Sequence, residues 1–156
     1  MMKTWRGFWR LGGFERGIAL ESAVALGVTW VGLRLSGFRR WRRVLAWLAP
    51  GAPSVSSAQD AELLLSARAI ARTEESAARH LPFPTNCLER SLVLWWLLRT
   101  RGMRADLRIG ARKEADRFEA HAWVEFLGTQ LSSQKDPHLH FVPFDGPLIS
   151  VETQTH

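Results

Sequence analysis

The hydrophobic period changes once between Asn86 and Phe126, and both sides of that change are closed by residues with few alternatives. Asn86 stands where a helix N-cap should, and Glu89 can reach back to its backbone, the two halves of a capping box. Leu88, Leu92, Trp95 and Trp96 then supply an apolar face, and Gly102 follows Arg99 and Arg101 where a terminating glycine belongs. Beyond Gly102 the period is two: Ala105, Leu107, Ile109 and Ala111 alternate with Arg104, Asp106, Arg108 and Gly110. After a charged turn at 112–117, Phe118, Ala120, Ala122, Val124 and Phe126 share one strand face, with Glu119, His121, Trp123 and Glu125 on the other. A capped helix feeding a hairpin predicts a helix packed on an antiparallel sheet, the α+β class.

The flanking sequence divides into zones. Residues 1–48 read as a basic helical region, with a largely apolar stretch over Glu15–Leu35 and a short basic helix over Phe38–Leu48. Residues 49–57, rich in Pro, Ser and Gly, read as a linker, and 58–156 as the main domain. Within that domain a helix is expected from Ser57 to Arg79. Leu63, Ala67, Ile70 and Ala77 form its apolar stripe, with Arg68, Arg72, Glu75 and Arg79 opposite. Pro82 and Pro84 then hold the approach to Asn86 extended. Thr129–Ser133 reads as a third strand, and a further short strand is expected around His140–Phe144.

Charge and cysteine content narrow the function. The chain has 156 residues, enough for a core without covalent staples. Its single cysteine excludes an intrachain disulfide and a cysteine-rich zinc module. The net charge of +6 suggests a polyanion binder until it is mapped. Nine basic and two acidic residues lie in 1–49, whereas the rest carries twelve basic and thirteen acidic. The excess is therefore local, and fits an acidic partner, a membrane surface or a solvated helical face. Nucleic acid is not the expected partner, although an anionic-surface or nucleic-acid-binding module is one alternative. No secretory signal pattern opens the chain, so the cytoplasm is expected. Gly17–Leu33 contains Glu21 and three glycines, and reads as a buried helix with peripheral membrane contact as the other possibility.

Cys87 opens the capped helix, where unpaired N–H groups and the helix dipole favour a thiolate. His121, on a neighbouring strand, can complete a Cys–His nucleophile pair. A packed cysteine and a structural histidine are the plainer reading of either residue alone. His138 and His140 with His121 or Asp136 make a weak metal set without further ligands, so no metal is expected. No glycine-rich phosphate loop is present, and no cofactor is expected. Glu119 and Glu125 read as solvated strand positions, and Trp123 as a cleft wall or a packed indole.

The segments CLERSLVLWWLLRTRG and FEAHAWVEFLG, in that order, resemble the transglutaminase-like cysteine peptidase superfamily, and within it the leader peptidases of lasso-peptide biosynthesis. The resemblance implies a papain-like core with the Cys87 helix packed on the sheet bearing His121. Cys87 would be the nucleophile that cuts leader from core peptide, and His121 its base. The family's third member is an acid on the strand after the histidine. This chain reads Ser132-Ser133 there, and Asp136 is the nearest carboxylate, so Asp136 is assigned with Ser133 as the competing candidate. The implied partners are the leader region of a precursor peptide, a separate leader-recognition protein and the amide-forming lasso cyclase. A non-catalytic scaffold of the same fold in a peptide-maturation complex is the second alternative, suggested by the missing acid.

Overall fold

The structure is a computed structural model that describes residues 13–49, 60–114, 117–131 and 142–143. Its elements are α1 (Gly13–Leu48), α2 (Asp60–Ala78), α3 (Cys87–Thr100), β1 (Ala105–Glu114), β2 (Arg117–Phe126), β3 (Thr129–Gln130) and β4 (Val142–Pro143). The α+β class expected from the period change is the one found.

Helix α1 has two halves, as the sequence indicates. The break is Gly37, at φ 73° and ψ 166°, a region open essentially to glycine alone. The bend sets the Trp41 indole against Gly32, where a Cβ would collide with the ring. Ile18, Leu26 and Leu45 of α1 enter the same hydrophobic cluster as α2, α3 and the sheet. Helix α2 opens on Asp60 and Glu62, which complement the positive end of its dipole. It buries Ala67, Ile70 and Ala71, and the side opposite the stripe carries an i,i+4 pair, Arg79 to Glu75 at 3.2 Å.

Helix α3 departs from the one-faced reading. Leu92, Val93, Leu94, Trp95, Leu97 and Leu98 are all buried, so the helix is covered around most of its circumference. The reason is its central place, with α1 and α2 on one side and the sheet on the other. It ends as expected: Gly102, at φ 78°, donates its N–H to Arg99 O at 3.0 Å, and Met103 N–H reaches Leu98 O at 3.0 Å.

The sheet is antiparallel in the order β3-β2-β1-β4. Strand β4 therefore does not extend the meander past β3 but returns to the free edge of β1, pairing Gly110 with Pro143. Ala105, Leu107, Val124 and Phe126 face the core on the side that meets α3. Ser132, Ser133 and the 50–59 segment lie outside the described residues.

Two glycines thus carry the bend in α1. Gly37→Ala is expected to destabilise the fold by about 1–3 kcal/mol through backbone strain. Gly32→Ala, at an ordinary helical position, is expected to destabilise through collision with Trp41, and Trp41→Ala in the same chain should relieve part of that loss. Urea unfolding of the single and double variants checks both expectations.

Candidate active site

Cys87 is the first residue of α3, and its thiol is half-buried and free. The helix starts there because Asn86 Oδ1 accepts the Glu89 N–H at 2.9 Å while Glu89 Oε2 accepts the Asn86 N–H at 2.9 Å. One turn along, Ser91 Oγ donates to Ala122 O at 2.9 Å, a buried bond that pins this end of α3 to β2 beside His121. Cys87, Ser91 and His121 line one cleft with Ala122, Arg90 and Glu74, a small cavity of about 50 Å³. The structure thus brings the two leading candidates to one opening.

The His121 imidazole is half-buried, and that burial holds its pKa below the usual histidine value. Its ring lies nearly parallel to the Trp123 indole, with centroids 6.3 Å apart and planes at 15°. Trp123 is fully buried, and its Nε1–H donates to Glu125 Oε1 at 2.9 Å. Arg108 Nε–H donates to the other oxygen of Glu125 at 3.0 Å. Glu125 is therefore not a merely solvated strand position: it anchors the indole that flanks the imidazole. Glu119 is exposed.

Glu74 is the cleft residue that the sequence reading missed. It is 2% exposed, and its Oε2 lies 3.5 Å from an Arg90 guanidinium nitrogen. Its Oε1 is buried with no hydrogen-bond partner among the described residues. Burial pushes its carboxyl up to about 7, against the lowering effect of Arg90. The available signal was its position. Ala67, Ile70 and Glu74 fall at helical spacing on the apolar stripe, so a carboxylate there has to be buried. Asp136, Ser133, His138 and His140 lie outside the described residues.

A thiol at a capped helix start and a neutral imidazole across one cleft suit acyl transfer, the thiol attacking a carbonyl and the imidazole carrying its proton. A family model described as the transglutaminase-like superfamily matches residues 29–144, a span that includes Cys87 and His121. That superfamily includes cysteine peptidases and acyltransferases. No match emerged among the curated proteins or among the solved structures.

The buried carboxyl gives a pH dependence with a definite sign. Glu74 ionises at about 7 in the folded chain against 4.5 for the ordinary group, so the folded state holds the extra proton between those values. Its contribution to stability is therefore lost as pH rises toward and through 7. Glu74→Gln should gain on the wild type as pH goes from about 5 to about 8, by up to roughly 3 kcal/mol. Parallel unfolding curves at the two pH values test this, and a constant difference would contradict it.

Proposed function

We propose that this chain, which belongs to the transglutaminase-like superfamily, is a cysteine peptidase that removes the leader from a ribosomally made lasso-peptide precursor. The observation that carries the catalytic half is the shared cleft of Cys87, at the capped start of α3, and His121 on β2. The choice of substrate is supported by the CLERSL and HAWVE blocks and their resemblance to lasso-peptide leader peptidases.

In this reading the substrate enters the cleft with its scissile carbonyl at Cys87 Sγ. The sulfur attacks the carbonyl carbon as the imidazole takes the thiol proton. Collapse of the tetrahedral species breaks the C–N bond, and His121 returns the proton to the departing amine of the core peptide. Water then attacks the thioester, the imidazole again accepting a proton; the C–S bond breaks, the proton returns to Cys87 Sγ, and the leader leaves as a free carboxylate. Burial suits His121 to this work, since it favours the neutral form that accepts the first proton. Asp136 completes the assignment as the group that orients the imidazole. The partners in this reading are the precursor's leader region, a separate leader-recognition protein and the lasso cyclase, all in the cytoplasm.

Cys87→Ala is expected to abolish precursor cleavage in the presence of the recognition protein while leaving the melting curve intact. Turnover at wild-type rate in that variant would end the assignment of the nucleophile. In the wild type, the acid limb of kcat/KM should lie below the ordinary histidine value of 6.5, because burial disfavours the imidazolium.

The third residue is decided by comparing Asp136→Ala with Ser133→Ala. Loss of the acid can cost ~10⁴ in a serine protease triad. A smaller loss is expected here, since a thiol gives up its proton far more readily than a serine hydroxyl and so leans less on the acid behind the base. Asp136→Ala should lower kcat more than Ser133→Ala, with little change in KM. A larger effect of Ser133→Ala would give that place to the hydroxyl.

A further inference from the structure

Helix α1 has an outward face unlike that of a solvated helix. From Arg16 to Leu33 its exposed positions are Gly17, Leu20, Val24, Val28 and Val31, and Leu35 follows at 83% exposure. Their spacings of three and four put them in one stripe, and Leu20 to Leu35 spans roughly 22 Å of helix. An outward face normally carries charge, and an apolar strip of this length marks a surface that meets something. The inward face is already occupied, with Ile18, Ser22, Leu26 and Thr29 buried. Only one side of the helix is therefore free, so it suits lying along a surface rather than crossing one.

Past the bend at Gly37 the exposed residues change in character. The exposed positions there are Arg39, Arg40, Arg43, Val44, Trp47 and Leu48, with Trp47 at 80% exposure. Every charge that the described side chains of α1 expose is an arginine, and Arg39, Arg40 and Arg43 form no ion pair among the described residues. A second copy of the chain would offer apolar area to the stripe, but among its described side chains α1 has one carboxylate, Glu21, and that is paired with Arg101. An apolar strip followed along the chain by exposed arginine and tryptophan supplies the groups that a lipid interface takes: acyl chains, the headgroup boundary and anionic phosphate.

We propose that α1 docks this protein onto an anionic membrane surface, with Leu20, Val24, Val28, Val31 and Leu35 entering the acyl boundary and Arg39, Arg40 and Arg43 meeting lipid phosphates. The docking is peripheral and independent of the chemistry assigned to Cys87.

Flotation of the purified full chain with vesicles tests it. One set is phosphatidylcholine alone, and the other contains about a third phosphatidylglycerol. The protein is expected to float with the anionic vesicles, to bind neutral ones far more weakly and to be released by high salt. Arg39→Gln/Arg40→Gln/Arg43→Gln should weaken anionic binding on the order of 100-fold. Val24→Asp/Val28→Asp, two changes on an exposed face, should abolish flotation while circular dichroism and melting stay as in the wild type. Wild-type protein that floats with neither vesicle overturns the proposal, as does an aspartate variant that binds like the wild type. Equal, salt-insensitive binding to both vesicle types also overturns it. Should the aspartates instead change only the oligomeric state in sedimentation, the stripe belongs to a second copy and the membrane reading falls.

Discussion

The reciprocal hydrogen bonds between Asn86 and Glu89 fix where α3 begins, and therefore where Cys87 sits. Glu89 is 2% exposed, and while Oε2 closes the capping box its Oε1 accepts from Arg34 of α1 at 3.2 Å. Arg34 in turn lies 3.7 Å over the Trp30 ring, and Trp30 meets Phe83 of the proline-rich approach at 5.5 Å. One buried carboxylate so ties together α1, the extended entry segment and the helix that carries the thiol. Without it the first turn of α3 is free to fray, and each residue lost moves the helix start by about 1.5 Å. Misplacement on the scale of 1 Å can cost ~10²-fold in a reaction that depends on position.

The other half of the site is fixed by the sheet. The β1–β2 register sets Gly110 directly opposite His121, so the position paired with it adds no side chain beside the imidazole. On the same face, two residues along, Trp123 is held by Glu125, and Glu125 by Arg108. Ser91 then joins the two halves, since its bond to Ala122 O attaches the second turn of α3 to the residue after His121. Cap and register are separate devices. This hydroxyl joins them directly; the sequence motif contains it, but its spacing does not reveal its role.

What could be read in advance was whatever depends on neighbours in sequence. The capping box, the terminating glycine at 102, the break between Leu35 and Phe38, the Glu75–Arg79 pair and the alternation in β1 and β2 are all local patterns, and each appears in the fold. What escaped depends on which elements meet. The all-round burial of α3 follows from its being sandwiched, and Arg34 reaches Glu89 across 55 positions of sequence. The return of β4 to the β1 edge is likewise a matter of topology. Glu74 lies between these cases: its place on an apolar stripe was visible, but its facing the cleft of Cys87 and His121 required knowing how α2 packs on α3.

The packing also sorts the basic residues of α1 into two groups that composition treats as one. Arg34 is turned to Glu89 and Trp30, and the Arg42 guanidinium lies 5.9 Å over the Phe38 ring. Arg39, Arg40 and Arg43 keep their exposure and have no carboxylate partner among the described residues. Arg34 supports the helix that positions the thiol, Arg42 lies against its own helix, and the three exposed arginines are available to an outside anion. The bend at Gly37, which lets Trp41 close on Gly32, lies between Arg34 and Arg39, so the tie to Glu89 and the three exposed arginines fall on different halves of the helix. A single helix can then serve the site with one face and meet a surface with the other, because the residues for each task do not overlap.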